Sequence, residues 1–417
     1  MKKALVISAI ASNQGKTLLT MALLTHFRSR VRAFKIGPDF IDPQFHQKVS
    51  EYPSVNLDGF MMNQEQLRWM FDKYMDRDIA ICEGVMGFYD GMDKNSSAYD
   101  IAKILEIPTL LILDAGGSYI TVSALLKGLL SFRDDNTITC VVLNRVSSAM
   151  HFELVKKYIQ QECQGIVVVG WIEKSLPTIS SRHLGLDLEE LERLELDKIA
   201  LDVLKYIDVP LLETLMDIRV EKLKSYPFKA IKKKNQKCTV VYDKNFSFLY
   251  YDNFKYLQEV YKEVVVVDST LDEAIPTDSD KVIIVGGYVE TEESYKRVKD
   301  SYKFKNSLIT HAKEGKEIYA ECAGLIYLGK SIDEKQMSGV LDIKFSLGAK
   351  RARLGYYHGL NYKTNTIQKG HAFHYSFVID APKGDIGLYK SSPKMIKDAG
   401  WIEGNIEATY LHSMWRC

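Results

Sequence analysis

Two sets of residues in this 417-residue sequence have the types and spacing to do chemistry. The first is Ser12-Asn13-Gln14-Gly15-Lys16-Thr17, which follows an apolar run and opens a helical pattern. Amide N–H groups at such a helix start converge on phosphate oxygens, and the helix dipole favours the anion. Gly15 would let the backbone approach the phosphates, Lys16 would bring a point charge to their β and γ positions, and Thr17 would offer its hydroxyl to Mg²⁺. The pattern departs from G-x-x-x-x-G-K-[ST] at its first position, where Ile10 stands. A bare G-K-T is otherwise only a turn with a surface lysine; the strand–loop–helix setting favours an ATP site. Four acids follow two further apolar runs: Asp39 and Asp42 within Gly37–Pro43, and Glu83 and Asp90 within Glu83–Gly91. A lone loop aspartate is usually a turn former. Four carboxylates in Gly-rich loops at one sheet edge suit Mg²⁺, which shares phosphate oxygens and water. Asp39 and Glu83 are the expected metal ligands, with Asp42 and Asp90 for substrate binding or activation. Asn144, at the end of another run, is a candidate contact to the nucleotide through its amide. The second set centres on Cys322, in Ala320-Glu321-Cys322-Ala323-Gly324 between an apolar run and a helical pattern. A cysteine on a strand-to-helix turn resembles a nucleophile elbow, where a helix N-terminus is expected to lower the thiol pKa.

The elements that must position these residues alternate. Short apolar runs at Ala4–Ile10, Ala33–Ile36, Ile79–Cys82, Thr109–Leu113, Thr139–Leu143 and Ile166–Val169 read as strands buried on both faces. Helical patterns at Leu18–Arg30, Gln64–Tyr74 and His151–Gln161 lie between them, which predicts a doubly wound parallel sheet. In such sheets ligands gather beyond the C-terminal ends of the strands, where both acidic loops fall. Between Glu221 and Lys237 there are seven lysines and one acid, read as a solvated linker. The rhythm restarts with strands at Cys238–Tyr242, Val264–Val267, Val282–Val285 and Ile318–Ala320, and helices at Phe254–Tyr261, Glu292–His311 and Leu325–Leu328. From Gly339 to Trp401 the pattern turns antiparallel. The expected organisation is a nucleotide domain over 1–220, a linker over 221–237 and a second α/β domain over 238–417.

Composition narrows the class. Lys and Arg number 55 and Asp and Glu 54, a balance that argues against nucleic acid as a partner. No run approaches the ~18 apolar residues of a membrane span. The six cysteines form no CxxC pair and read as reduced thiols of a cytoplasmic protein.

Longer motifs carry a resemblance. Gly37-Pro38-Asp39-Phe40-Ile41-Asp42-Pro43 with His46, Asn56-Leu57-Asp58, the stretch Glu83–Gly91 and Arg182-His183-Leu184-Gly185-Leu186 resemble the cobyrinate a,c-diamide synthase family. So do Gly286-Gly287-Tyr288, Glu321-Cys322-Ala323-Gly324 and Gly370-His371-Ala372-Phe373-His374-Tyr375-Ser376, in collinear order over nearly the whole chain. The resemblance implies a P-loop NTPase-like domain, similar to dethiobiotin synthetase, followed by a class I glutamine amidotransferase-like domain. It implies ATP-dependent amidation of the a- and c-carboxylates of cobyrinic acid through acyl phosphates, with ammonia from glutamine, in cobalamin biosynthesis. ATP, glutamine and cobyrinic acid are then the partners, Mg²⁺ the cofactor, and a homodimer is compatible. Gly15, Lys16 and Thr17 would hold phosphates, Cys322 would be the glutaminase nucleophile, and Gly286 and Gly287 would line its oxyanion hole. His412, in Tyr410-Leu411-His412, is similar to the family's C-terminal histidine and would be its base. The acid that class I enzymes commonly carry two residues after that histidine is Met414 here, Val289 replaces a usual proline, and Ala372 a usual glutamate. A nickel-sirohydrochlorin a,c-diamide synthase shares these motifs. From another class, a partitioning-type P-loop ATPase would have a lysine where Ala11 stands and no second catalytic domain.

Overall fold

A computed structural model describes residues 2–176, 181–182, 185–186, 196–219, 225–390 and 396–417. The chain divides into two compact units, Met1–Phe228 and Lys229–Cys417. The first contains β1 (Lys2–Ala9), α1 (Lys16–Phe27), β2 (Val31–Ile36), α2 (Asp42–Ser50), β3 (Val55–Leu57), α3 (Gln64–Tyr74) and β4 (Ile79–Gly84). It continues through α4 (Ala98–Leu105), β5 (Thr109–Asp114), α5 (Ile120–Phe132), β6 (Ile138–Val146), α6 (Ala149–Glu162) and β7 (Val167–Glu173). The strands lie in the order β3-β2-β4-β1-β5-β6-β7, with Asp217–Ile218 antiparallel to the start of β1. All other pairs are parallel. Every residue of β2 and β4 is buried, as strands covered on both faces require. Leaving β1, the chain runs to one side for β2 and β3, returns for β4, then crosses to β5. The loops after β1, β2, β4 and β6 therefore leave at the same sheet edge, next to that reversal.

Sequence periodicity gives α3 to the residue, because Asn63 and Gln66 close a capping box at its start. Helix α2 was not anticipated from the sequence: Asp42 is its first residue rather than a loop residue, with Pro43 pre-setting the first turn. Of Arg182–Leu186, the backbone of Arg182 pairs with Gly185; His183, Leu184 and the side chains of the stretch lie outside the described residues.

The second unit contains β8 (Lys234–Val241), α7 (Tyr251–Val260), β9 (Tyr261–Val267), β10 (Lys281–Ile284), α8 (Glu292–Val298), α9 (Tyr302–Lys313), β11 (Glu317–Glu321) and α10 (Ala323–Leu328). Strands β12 (Arg353–Asn361), β13 (Thr366–His374), β14 (Ile386–Tyr389), β15 (Lys397–Glu403) and β16 (Ile406–Thr409) complete a nine-stranded sheet ordered β9-β8-β10-β11-β16-β15-β14-β12-β13. Its first five strands are parallel and the rest antiparallel. A small four-stranded sheet stands apart from it. The core between β10, β11, β16 and α10 is aliphatic, with Val282, Ile284, Ala320, Leu325 and Leu328 wholly buried.

Two expectations change here. Lys234–Lys237, read as linker, form the first half of β8 and pair with β9, while their side chains stay at the solvent edge. The single helix expected over Glu292–His311 is two, α8 and α9, because Asp272 accepts the Phe304 N–H and so caps a new start. Among the described residues no helix is long and apolar enough to cross a membrane.

Candidate active sites

In the first unit the phosphate-type loop spans the end of β1 and the start of α1. Gly15 has φ +96°, and a Cβ there would meet the Asn144 amide nitrogen at 2.5 Å, so only glycine fits. The Lys16 ammonium is buried and donates to the carbonyls of Ala11 (2.9 Å) and Met86 (2.6 Å). Burial pulls its pKa down to about 8, with the Lys35 charge adding to the fall and Glu83 opposing it.

Strand register builds the acidic half. Lys35 on β2 pairs with Glu83 on β4 and with Asn56 on β3, so three polar side chains share one rung near the end of an apolar sheet. Glu83 is fully buried and is the hub: the Thr17 hydroxyl donates to it at 2.8 Å, His46 Nε2 lies 2.8 Å away, and the Lys35 ammonium 3.3 Å. Lys35 also pairs with Asp42, and more distantly with Asp39 at 3.7 Å. Burial works against the Lys35 charge, but Asp42, Glu83 and Asp39 outweigh it and push the pKa up. Burial and the neighbouring Asp39 raise Asp42 to about 7. Burial likewise opposes ionised Glu83, yet Lys35 and His46 hold it well below the usual carboxylate range. The Thr17 hydroxyl and the Glu83 carboxylate are hard oxygens of the kind Mg²⁺ takes. Among the described residues no group of three or more His, Cys, Asp or Glu side chains could hold a metal by itself.

The other expected residues have local duties. Asp39 accepts the N–H groups of Ile41 and Asp42. Asp90 is exposed and accepts the Gly87 N–H. Asn144 donates to the Gln14 carbonyl at 2.8 Å and so braces the phosphate loop from β6.

In the second unit Cys322 joins β11 to α10 with φ 47° and ψ −102°. A non-glycine residue held there carries strain of ~1–3 kcal/mol. The surroundings enforce it: Cys322 N–H donates to Thr409 at 2.8 Å, and Gly324 packs so near β10 that a Cβ would meet the Ile284 carbonyl at 2.4 Å. Burial pushes the thiol pKa up, and Glu290 adds to this against the Ala323 N–H. The expected lowering by a helix N-terminus is overridden, since α10 has only six residues and the sulfur is enclosed. A protonated thiol needs a base.

His412 follows β16, the neighbour of β11, with Glu321 opposite Thr409 in register. Its Nδ1 lies 3.3 Å from Glu321 Oε2. The other oxygen, Oε1, accepts from the Tyr319 hydroxyl at 2.9 Å and from Trp415 Nε1 at 3.0 Å. The imidazole lies against Gly286, where a Cβ would meet Cε1 at 2.2 Å. Gly287, at φ +151°, is wedged against the Asn245 carbonyl. The tail is anchored: Asn253 bonds Ser413 and Trp415, and buried Arg416 pairs with Asp252 at 2.9 Å and Glu259 at 2.7 Å. His374 stacks on Tyr410 with centroids 3.8 Å apart, and its Nδ1 meets the Ser376 carbonyl. His371 bridges His412 through backbone bonds, and burial holds its pKa near about 3.

Residues 5–185 match the family model of the CobQ/CobB/MinD/ParA nucleotide binding domain, and residues 237–416 that of the CobB/CobQ-like glutamine amidotransferase domain. The cobyrinate a,c-diamide synthase of Caldanaerobacter subterraneus subsp. tengcongensis is 32% identical, over 99% of this chain and 95% of its own. Those of Syntrophotalea carbinolica and Saccharolobus solfataricus are 32% and 33% identical; each match covers 98% of this chain, and 95% and 97% of theirs. The chain belongs to the cobyrinate a,c-diamide synthase family.

As a member of the cobyrinate a,c-diamide synthase family, it is an enzyme of the glutamine-dependent amidotransferase ligase class. Thr17, Asp39, Asp42 and Glu83 come together in its first half, and Gly286 and His412 in its second. Sequence reasoning missed Lys35 and assigned no role to His46 or Glu321. The signal for Lys35 is a lysine between Phe34 and Ile36 in a buried strand, a position lysine almost never takes unpaired.

Proposed function

We propose that this protein amidates the a- and c-carboxylates of cobyrinic acid, using ATP for activation and glutamine as the nitrogen source. One observation carries the reading: a single chain combines a phosphate-type loop whose Thr17 donates to the buried Glu83 with a strained cysteine on a strand-to-helix turn and a histidine paired to the carboxylate of the residue before that cysteine. The first half suits activation of an acid, and the second suits release of ammonia.

In the first half, a substrate carboxylate oxygen attacks the γ-phosphorus of ATP, ADP leaves, and an acyl phosphate forms. This step needs positioning and charge neutralisation, with no protein nucleophile. Gly15 and Lys16 bind the phosphates. Thr17 and Glu83, with Asp39, would hold Mg²⁺, which supplies charge neutralisation at the phosphate oxygens. Asn144 fixes the loop, and Asp42 and Asp90 bind or orient the substrate. Ammonia then adds to the acyl carbon; phosphate leaves and a proton is lost, giving the amide.

In the second half, His412 takes the Cys322 proton as the sulfur attacks the glutamine side-chain carbonyl. The proton passes to the leaving nitrogen, ammonia departs, and a thioester remains for water to cleave to glutamate. Amides of the Gly286–Gly287 loop are the proposed donors to the oxyanion.

The deciding assay supplies cobyrinic acid, ATP-Mg²⁺ and glutamine, and follows product mass. Two successive replacements of –OH by –NH₂ are expected, with ADP and glutamate formed in step. Turnover of nickel sirohydrochlorin but not cobyrinic acid would reassign the macrocycle. ATP hydrolysis with no amide from either would favour a partitioning-type switch.

A further inference from the structure

The acid expected two residues after His412 is Met414, yet the imidazole still has a carboxylate, which comes from the residue before the nucleophile. We propose that Glu321 is the positioning carboxylate for His412, and that Trp415 sets which tautomer of the imidazole faces the reaction. The inference rests on reading Cys322 and His412 as the glutaminase pair.

The hydrogen-bond chemistry is directional. Glu321 Oε1 receives two donors, the Tyr319 hydroxyl and the Trp415 indole N–H, and Oε2 faces His412 Nδ1. An ionised carboxylate only accepts, so Nδ1 must carry its proton and Nε2 is the basic nitrogen. The pair is enclosed, with Glu321 3% and His412 1% exposed, so little water is at hand to supply the bond instead. The ring cannot retreat, because Gly286 is packed against its edge. Trp415 is held by Asn253 and by the Arg416 ion pairs, so its donor stays aimed at Oε1. Burial and Glu321 push the Tyr319 pKa well above its ordinary value, so its hydroxyl stays protonated.

This arrangement makes Glu321→Gln informative. A glutamine side chain has one accepting and one donating end. Indole N–H can only donate, so the amide oxygen must face Trp415 and the NH₂ must face His412. Nδ1 then becomes an acceptor, and the proton sits on Nε2, the wrong nitrogen for a base. Trp415→Phe removes that constraint. The Tyr319 hydroxyl can turn and accept from the NH₂, which lets the amide flip and offer its oxygen to Nδ1. A purely structural role for Glu321 predicts the opposite, since removing Trp415 as well would only damage the fold further.

The test measures glutamine hydrolysis and ammonia-dependent amidation in the full chain. Glu321→Gln is expected to lower kcat for glutamine by ~10²–10⁴-fold, the scale of a wrong-tautomer triad, with KM little changed. Trp415→Phe alone should cost less than ~10-fold, and adding it to Glu321→Gln should recover ~10-fold or more of the lost kcat. A double variant no better than Glu321→Gln overturns the proposal, as does Glu321→Gln with near-normal kcat. Cys322→Ala that still hydrolyses glutamine would instead overturn the underlying glutaminase reading. If Glu321→Gln fails to fold, ¹⁵N-histidine spectra of the unmutated enzyme decide. The signals lost in His412→Gln must report a proton on Nδ1; a proton on Nε2 overturns the proposal.

Discussion

Lys16 rests on two carbonyl oxygens in a buried setting that brings its pKa to about 8. Triphosphate oxygens would restore the charged form, so the bound pKa is higher than the unbound one. Above pH 8, ATP-Mg²⁺ binding should therefore take up close to one proton, and well below pH 8 almost none. Calorimetry in buffers of different ionisation enthalpy reads this directly, and Lys16→Ala should abolish the uptake. Cys322→Ala should stop glutamine-dependent amidation and leave ammonia-dependent amidation largely intact. Glu83→Gln should stop both by ~10²-fold or more, because activation precedes attack; product assays with the two nitrogen sources separate these cases. At this scale the strand–loop–helix turn at Gly15, Lys16 and Thr17 was legible because adjacent residues answer one backbone requirement. Glu321 was not, because its partner is 91 positions away and only the β11–β16 register joins them.

Elements make the sites by adjacency. One rung places Asn56, Lys35 and Glu83 side by side, and α2 brings His46 and Asp42 back over it. Lys35→Met would leave Glu83 and Asp42 buried without their cation, at a cost of ~3–5 kcal/mol. A lowered thermal midpoint with loss of both amidation activities is the expected reading. The loop after β10 makes a similar demand: Gly286→Ala must displace the His412 ring, since the new carbon would stand 2.2 Å from Cε1. Glutamine hydrolysis should drop ~10²-fold, in keeping with a misplaced base, while the ammonia-driven reaction persists. Strands such as β2 and β4 were legible as short apolar runs because both faces are buried. The break between α8 and α9 was not, because Asp272, which caps the start of α9, lies outside the helical run in sequence. Helix α2 was hidden for a related reason: its start reads as a Pro-bearing turn.

At the scale of the molecule there are two α/β units with separate cores, and the proposed function gives each one half-reaction. The exact join was not legible. Lysine content marks a solvated stretch, but Tyr226 and Phe228 pack on Trp69 of the first unit, and Lys234–Lys237 already pair in the second. The tail also contributes to the whole second unit. Arg416→Ala would take the guanidinium away from buried Asp252 and should cost ~3 kcal/mol. Glutamine use should fail at a lower temperature than ammonia use, which activity measured along a thermal ramp can show. The strand that delivers His412, β16, follows the other eight strands of its sheet in chain order, yet it inserts in the middle, between β11 and β15. On the proposed reading, a nascent chain on the ribosome cannot begin to deaminate glutamine until translation has finished the half that puts the released nitrogen to use.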